Sequence, residues 1–160
     1  MQGVIVQVAV SNGGLPKLPV SGGLIAFPGI EGDRHVHPEV HGGPSKAVLL
    51  VSSEVVEELK ARGYPLFYGA LGENLTTRGI DFRRLPVGCR LRAGGALLEI
   101  TEARGPCSAL DVYGASLKGE IYDARVKAGD SDSPRWGMSG LYAKVIEPGP
   151  VRPEDVISAA

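Results

Sequence analysis

The chain has 160 residues, the size of one domain spanning 1–160, and a formal net charge of −1. That charge excludes a global basic field for nucleic acid or an anionic membrane, so any bound anion must be captured by local geometry. No run of about eighteen apolar residues occurs, and no basic start leads into an apolar stretch, so the expected location is the cytoplasm. The 23 glycines and 12 prolines favour turns and short strands over long helices.

In chain order, Val4, Val6, Val8 and Val10 alternate and predict a half-buried amino-terminal strand. Ser11-Asn12-Gly13-Gly14-Leu15-Pro16-Lys17 ends it with turn chemistry. Leu24 to Phe27 predicts a second strand, and Glu31 to Lys46 is too rich in Gly, His and Pro for a regular element. Ala47 to Val51 reads as a fully buried strand. A helix follows, with Ser53 as cap, Glu54 in the first turn, an apolar face of Val55, Val56 and Leu59, and Gly63 at the stop. Cys89 to Ala103 predicts a hairpin around Gly94-Gly95. A short helix is expected from near Ser108, and Leu117, Ile121 and Val126 hint at helix within 114–137. Leu141 to Ile146 predicts a late strand stopped by Pro148-Gly149-Pro150. The sum is a mainly β protein, a closed or nearly closed barrel of short strands with a few short helices.

Cys107 leads the candidates for chemistry. It follows a predicted strand and Arg104-Gly105-Pro106, and precedes the helix near Ser108. A thiol beside a helix start and an arginine has its anion favoured, and a thiolate binds soft metals or carries a second sulfur. The alternative is a buried structural cysteine, which is the reading for Cys89 on its hairpin strand. With no CxxC pair, both are expected as free thiols in a reducing compartment. His41-Gly42-Gly43-Pro44-Ser45-Lys46 could present backbone N–H groups and a cation to a phosphate, and Gly69 to Asn74 is a second glycine-interrupted loop. Neither matches a nucleotide fingerprint. His35-x-His37 with His41 has the makings of a zinc triad, Asp33 or Glu39 assisting, or is a solvated polar loop. Trp136 and Tyr142 read as core or surface anchors, and Arg90 and Arg92 as a solvated strand face.

Taken as an ordered set, Ser11 to Lys17, Gly32-Asp33-Arg34, His41-Gly42-Gly43-Pro44 with Ala47-Val48, Gly72-Glu73-Asn74-Leu75, Pro106-Cys107 and Tyr142-Ala143-Lys144-Val145 resemble the molybdenum cofactor sulfurase carboxy-terminal (MOSC) domain family, in its stand-alone form. The resemblance implies a β-barrel, a site for the pterin-based molybdenum cofactor, and Cys107 as the functional cysteine that ligates metal or carries sulfur as a persulfide. Arg34, His41, Gly42, Gly43, Glu73, Asn74 and Cys107 match the family pattern; Lys46 and Arg104 are added for the cofactor phosphate on charge alone. Departures are Gly88-Cys89 and Glu154-Asp155 where Gly-Asp is expected, and Ala109 where a basic residue often stands.

The resulting expectation is a cofactor-binding domain with Cys107 at the metal, Asn74 and Glu73 on the pterin, and reduction of N-hydroxylated compounds through an external electron donor. The alternatives are a persulfide carrier fed by a cysteine desulfurase, with pyridoxal phosphate on that separate partner only, and a non-catalytic cofactor-binding or storage module. The other partner expected is a small-molecule substrate, with no nucleic acid and no membrane.

Overall fold

The computed structural model describes residues 1–34 and 43–160. His35, His37, Glu39, His41 and Gly42 lie outside the described residues. The strands are β1 (Gln2–Val10), β2 (Leu18–Val20), β3 (Gly23–Ala26), β4 (Gly29–Ile30), β5 (Val48–Ser52), β6 (Leu75–Arg78), β7 (Arg90–Ala93), β8 (Ala96–Ala103), β9 (Leu141–Glu147), β10 (Gly149–Val151) and β11 (Val156–Ala159). The helices are α1 (Ser53–Ala61), α2 (Leu117–Ile121) and α3 (Ala124–Lys127), with 3-10 turns at Pro44–Lys46, Phe82–Arg84 and Ser108–Tyr113.

The main sheet runs β11-β7-β8-β9-β5-β6-β1 and closes by pairing β1 with β11, Gly3 opposite Ile157; β2 extends it beyond β1. Closure removes the free edges that an open sheet would expose. Neighbours are antiparallel except β5 and β6, which run parallel across the α1 crossover. A small sheet, β10-β3-β4, packs beside the barrel. The Gly94-Gly95 turn closes the β7–β8 hairpin as expected, with Ala93 opposite Ala96.

Three readings of the sequence need correction. The alternation Val4, Val6, Val8, Val10 does not mark one buried face: Ile5, Val8 and Ala9 are the buried residues of β1. A register shift between Ile5 and Gln7 changes the face midway, as a β-bulge does. The cap of α1 is Ser52, and Ser53 is already helical. Pro148-Gly149-Pro150 ends β9 but also opens β10, which pairs with β3, Pro150 opposite Leu24.

Two apolar clusters follow from side-chain alternation along the strands. Ile5, Val8, Leu50, Leu75, Leu98 and Ile100 fill the barrel with their neighbours. Val51 points the other way, and Val56, Leu59, Leu71, Leu110, Leu117 and Ile121 gather on it outside the barrel. Each such buried leucine or isoleucine contributes about 2 kcal/mol by leaving water. The outer cluster fixes the Gly69–Asn74 loop and the turn after Cys107 against the same barrel face. None of the helices among the described residues is long and apolar enough to cross a membrane.

Candidate functional site

The loop after β1 is anchored by a buried polar knot. Asp33 Oδ1 accepts from Lys17 Nζ at 2.6 Å and from the Ser11 N–H at 2.9 Å, and the two side chains of the ion pair are 7% and 2% exposed. Asp33 Oδ2 accepts from Asn74 Nδ2 at 2.9 Å. Asn74 also donates to the Ala9 carbonyl and accepts the Leu49 N–H at 3.0 Å, so its amide ties β1, β5 and the segment around Asp33 together. Gly69 is required here: a Cβ at that position would lie 2.2 Å from the Lys17 carbonyl oxygen, which the close approach of the two loops forbids.

A second polar group lies beside Cys107. Arg104 is 5% exposed, and its guanidinium donates to the carbonyls of Leu71 at 2.7 Å and Ser139 at 3.2 Å. The Ser139 hydroxyl donates back to the Arg104 carbonyl at 2.6 Å. Burial pulls the Arg104 guanidinium below its ordinary value, opposed by the Tyr142 hydroxyl, the Cys107 thiol and the Glu73 carboxylate, all within its electrostatic reach. Glu73 is fully buried; its Oε1 accepts from the Gly69 N–H at 2.7 Å and the Thr76 hydroxyl at 3.1 Å, while Oε2 has no partner among the described residues. Burial raises the Glu73 carboxyl above its ordinary value, against the lowering effect of these hydrogen bonds and of Arg104.

Cys107 is a free, partly exposed thiol at the head of the Ser108–Tyr113 turn, whose Leu110 N–H donates to the Cys107 carbonyl at 3.1 Å. Lys46 Nζ stands 5.6 Å from the centre of the Tyr142 ring and 3.5 Å from Glu102. Burial also raises the Tyr142 hydroxyl, with Arg104 pulling it back. Tyr142 is the cross-strand partner of Leu49, whose N–H is held by Asn74. The polar knot and the Cys107 group are thereby fixed to one strip of the outer barrel face.

Of the residues singled out in the sequence, Cys107, Arg104, Glu73 and Lys46 come together around Tyr142 or Arg104. Asn74 joins them through Leu49. Arg34 is exposed on the neighbouring loop, donating to Asn12 Oδ1 at 3.3 Å, and Gly43 is exposed with open space around it. The hydrogen bonds of Glu73 and Asn74 all run to protein groups, and the Gly69 and Gly72 amides are spent on Glu73 and on the Gly69 carbonyl. Ser139 is a site residue that no motif in the sequence singles out, Lys17 stands in the Ser11 to Lys17 motif without a role assigned to it, and Tyr142 is more than the anchor its pattern suggests. A lone lysine closing a Gly-Pro turn gives Lys17 a local signal, but its burial depends on Asp33, sixteen positions away. Among the described residues no group of three potential metal ligands gathers.

Comparison with known proteins gives a family and a shared fold. The MOSC domain model matches residues 37–158. The chain is 30% identical over 144 residues to the uncharacterized protein YflK of Bacillus subtilis (strain 168), covering 88% of this chain and 60% of that one. It is 32% identical over 108 residues to protein YiiM of Escherichia coli (strain K12), covering 62% and 46%. The chain therefore spans only about half the length of these relatives. Among solved structures, YiiM from Geobacillus stearothermophilus superposes with a TM-score of 0.71 at 24% identity, over 99% of this chain and 75% of that one. The YUAD protein from Bacillus subtilis superposes with a TM-score of 0.73 at 20% identity, over 98% and 94%. With a family model over most of its length and a barrel shared with these structures, the chain belongs to the MOSC domain family.

Proposed function

We propose that this chain binds the pterin-based molybdenum cofactor with Cys107 at the metal, and that the loaded protein reduces N-hydroxylated compounds with electrons from an external donor. The observation that carries the reading is a partly exposed thiol within electrostatic reach of a buried guanidinium, with Lys46 and Tyr142 on the same outer face. The donor set fits the group: a soft sulfur ligand suits molybdenum, and fixed cations suit a cofactor that carries phosphate. When bound, the cofactor would supply the two-electron couple needed to cleave an N–O bond.

This chain's residues would do the rest. Cys107 would supply the sulfur donor, and Arg104, held by two carbonyls, would keep positive charge beside it. Lys46, Gly43 and Arg34 are accessible to solvent and would face the phosphate. Glu73 and Asn74 would act from beneath by fixing the loops that carry those groups, and Tyr142 would wall the site under Lys46. The test is turnover of an N-hydroxylated amidine by anaerobically purified, cofactor-loaded protein under strong reductant. Stoichiometric amidine product, lost in Cys107→Ser, is the expected result; bound molybdenum without turnover would leave a storage module instead.

The partial exposure of Cys107 also serves a second reading, a sulfur carrier charged by a cysteine desulfurase. A cyanide-labile mass gain of one sulfur atom on Cys107, in protein devoid of molybdenum, would favour the carrier.

A further inference from the structure

Two large clefts open on the described surface, and Cys107 lines neither. The first, about 660 Å³, runs between α1, residues 79–83 and residues 134–138. Its arginines Arg62, Arg83 and Arg135 are each paired with a carboxylate, so its charges are met within the protein. The second, about 810 Å³, lies between Ser21–Gly23, the Gly94-Gly95 turn, Pro150–Arg152 and β11, and holds Arg92 and Arg152 against one carboxylate, Asp155.

Both arginines line this cleft, and neither is held there by a buried partner among the described residues. Arg152 has no side-chain hydrogen bond or ion pair to any described residue. Its stem lies directly on the backbone of Gly22, where an added Cβ would fall 2.6 Å from Arg152 Cγ, so the base of the side chain is held by packing. Arg92 reaches Glu147 at 3.3 Å, but the two side chains are 43% and 53% exposed, and a pair so screened by water is readily given up. Ser158 is the register partner of Arg92 and shares its outward face, while Ala93 and Ile157 turn into the core. Ser21 adds a second hydroxyl to the lining. Asp155 is occupied, its Oδ2 accepting the Arg152 N–H at 2.8 Å.

We propose that this cleft is a second ligand site, binding the phosphate monoester group of a small molecule between Arg92 and Arg152. Two guanidinium groups and two hydroxyls offer more donors than Asp155 and the Glu147 paired with Arg92 can accept, whereas a tetrahedral dianion presents three terminal oxygens to them. The site is separate from Cys107 and does not depend on what that cysteine does.

The test is titration of the full chain with inorganic phosphate, followed by amide NMR shifts at constant ionic strength. Saturable shifts are expected around Gly22, Gly94 and Ser158, with affinity weakened about tenfold or more in Arg152→Gln and less in Arg92→Gln. Arg152→Lys should keep part of the binding, and Lys46→Gln, which alters only the Cys107 side, should leave these shifts unchanged. Three results would each overturn the proposal: shifts that never saturate, shifts untouched by Arg152→Gln in a variant of unchanged spectrum elsewhere, or equal saturation by acetate.

Discussion

The two buried polar groups on the barrel's outer face solve the same problem in opposite ways. In the Lys17–Asp33–Asn74 knot a cation meets an anion directly, and both Asp33 oxygens and the Asn74 amide have partners. Around Arg104 the cation is spent on carbonyls, and Glu73 is left with one buried oxygen that has no partner among the described residues. A closed network fixes loops; an open one holds charge in reserve, and it is the open one that lies beside Cys107. The difference separates residues that shape the site from residues that set its electrostatics.

Removing one end of the closed network should have the largest effect. Lys17→Met removes the cation from a buried ion pair, and the loss of stability should be about 3–5 kcal/mol in chemical denaturation, as for other broken buried pairs. A loss under about 1 kcal/mol would mean that the knot is not closed in solution.

The open network should respond to pH instead. Burial raises Glu73 above its unfolded value, so the folded chain binds that proton more tightly. Below the ordinary carboxylate range both states are protonated and nothing is lost. As pH climbs from there through the raised value, the unfolded chain ionises freely while the folded one must ionise a buried oxygen, and stability falls. The fall amounts to about 1.4 kcal/mol for each tenfold difference in proton affinity between the folded and unfolded chain. Glu73→Gln should therefore gain stability relative to wild type as pH rises from the ordinary carboxylate range through the raised value of Glu73, read by chemical denaturation at a series of pH values. A difference that does not change with pH would show that Glu73 binds its proton equally well in the folded and unfolded chain.

The smallest effect lies outside both networks and serves as their control. Glu154 is the one non-glycine residue among the described ones with positive φ, at 77°. It stands where the family resemblance leads one to expect glycine. Glu154→Gly should raise stability by about 1 kcal/mol, at every pH, by relieving that backbone strain. No gain would mean that the greater backbone freedom of glycine in the unfolded chain offsets the relieved strain.

Much of this fold is legible in the sequence because its longer strands carry apolar runs: β5, the β7–β8 hairpin and β9 can be traced nearly to their ends. The strands that escape such reading do so for physical reasons. β2 is Leu18-Pro19-Val20 and β10 is Gly149-Pro150-Val151, each with a proline that argues against a strand interior. β6 is Leu75-Thr76-Thr77-Arg78, too polar to look buried, yet its two threonines are. β11 ends the chain in Val156-Ile157-Ser158-Ala159, with a single fully buried residue among them. For the site, Cys107 and the glycine loops are visible as local motifs. What a motif does not reveal is depth: Glu73 and Asn74 read like ligand contacts because they are polar and loop-borne, and the fold buries both. Tyr142 reads as a core or surface anchor, and the fold, which pairs it with Leu49, sets its ring beside Lys46.

Whether Cys107 holds a molybdenum centre can be decided by metal analysis with pterin fluorescence on anaerobically purified protein, wild type beside Cys107→Ala. Molybdenum and pterin are expected in stoichiometric amounts in the wild type, with a marked loss of metal in the variant. Protein made in cofactor-competent cells that carries neither, or a variant that keeps its full molybdenum, would contradict a metal-ligating Cys107.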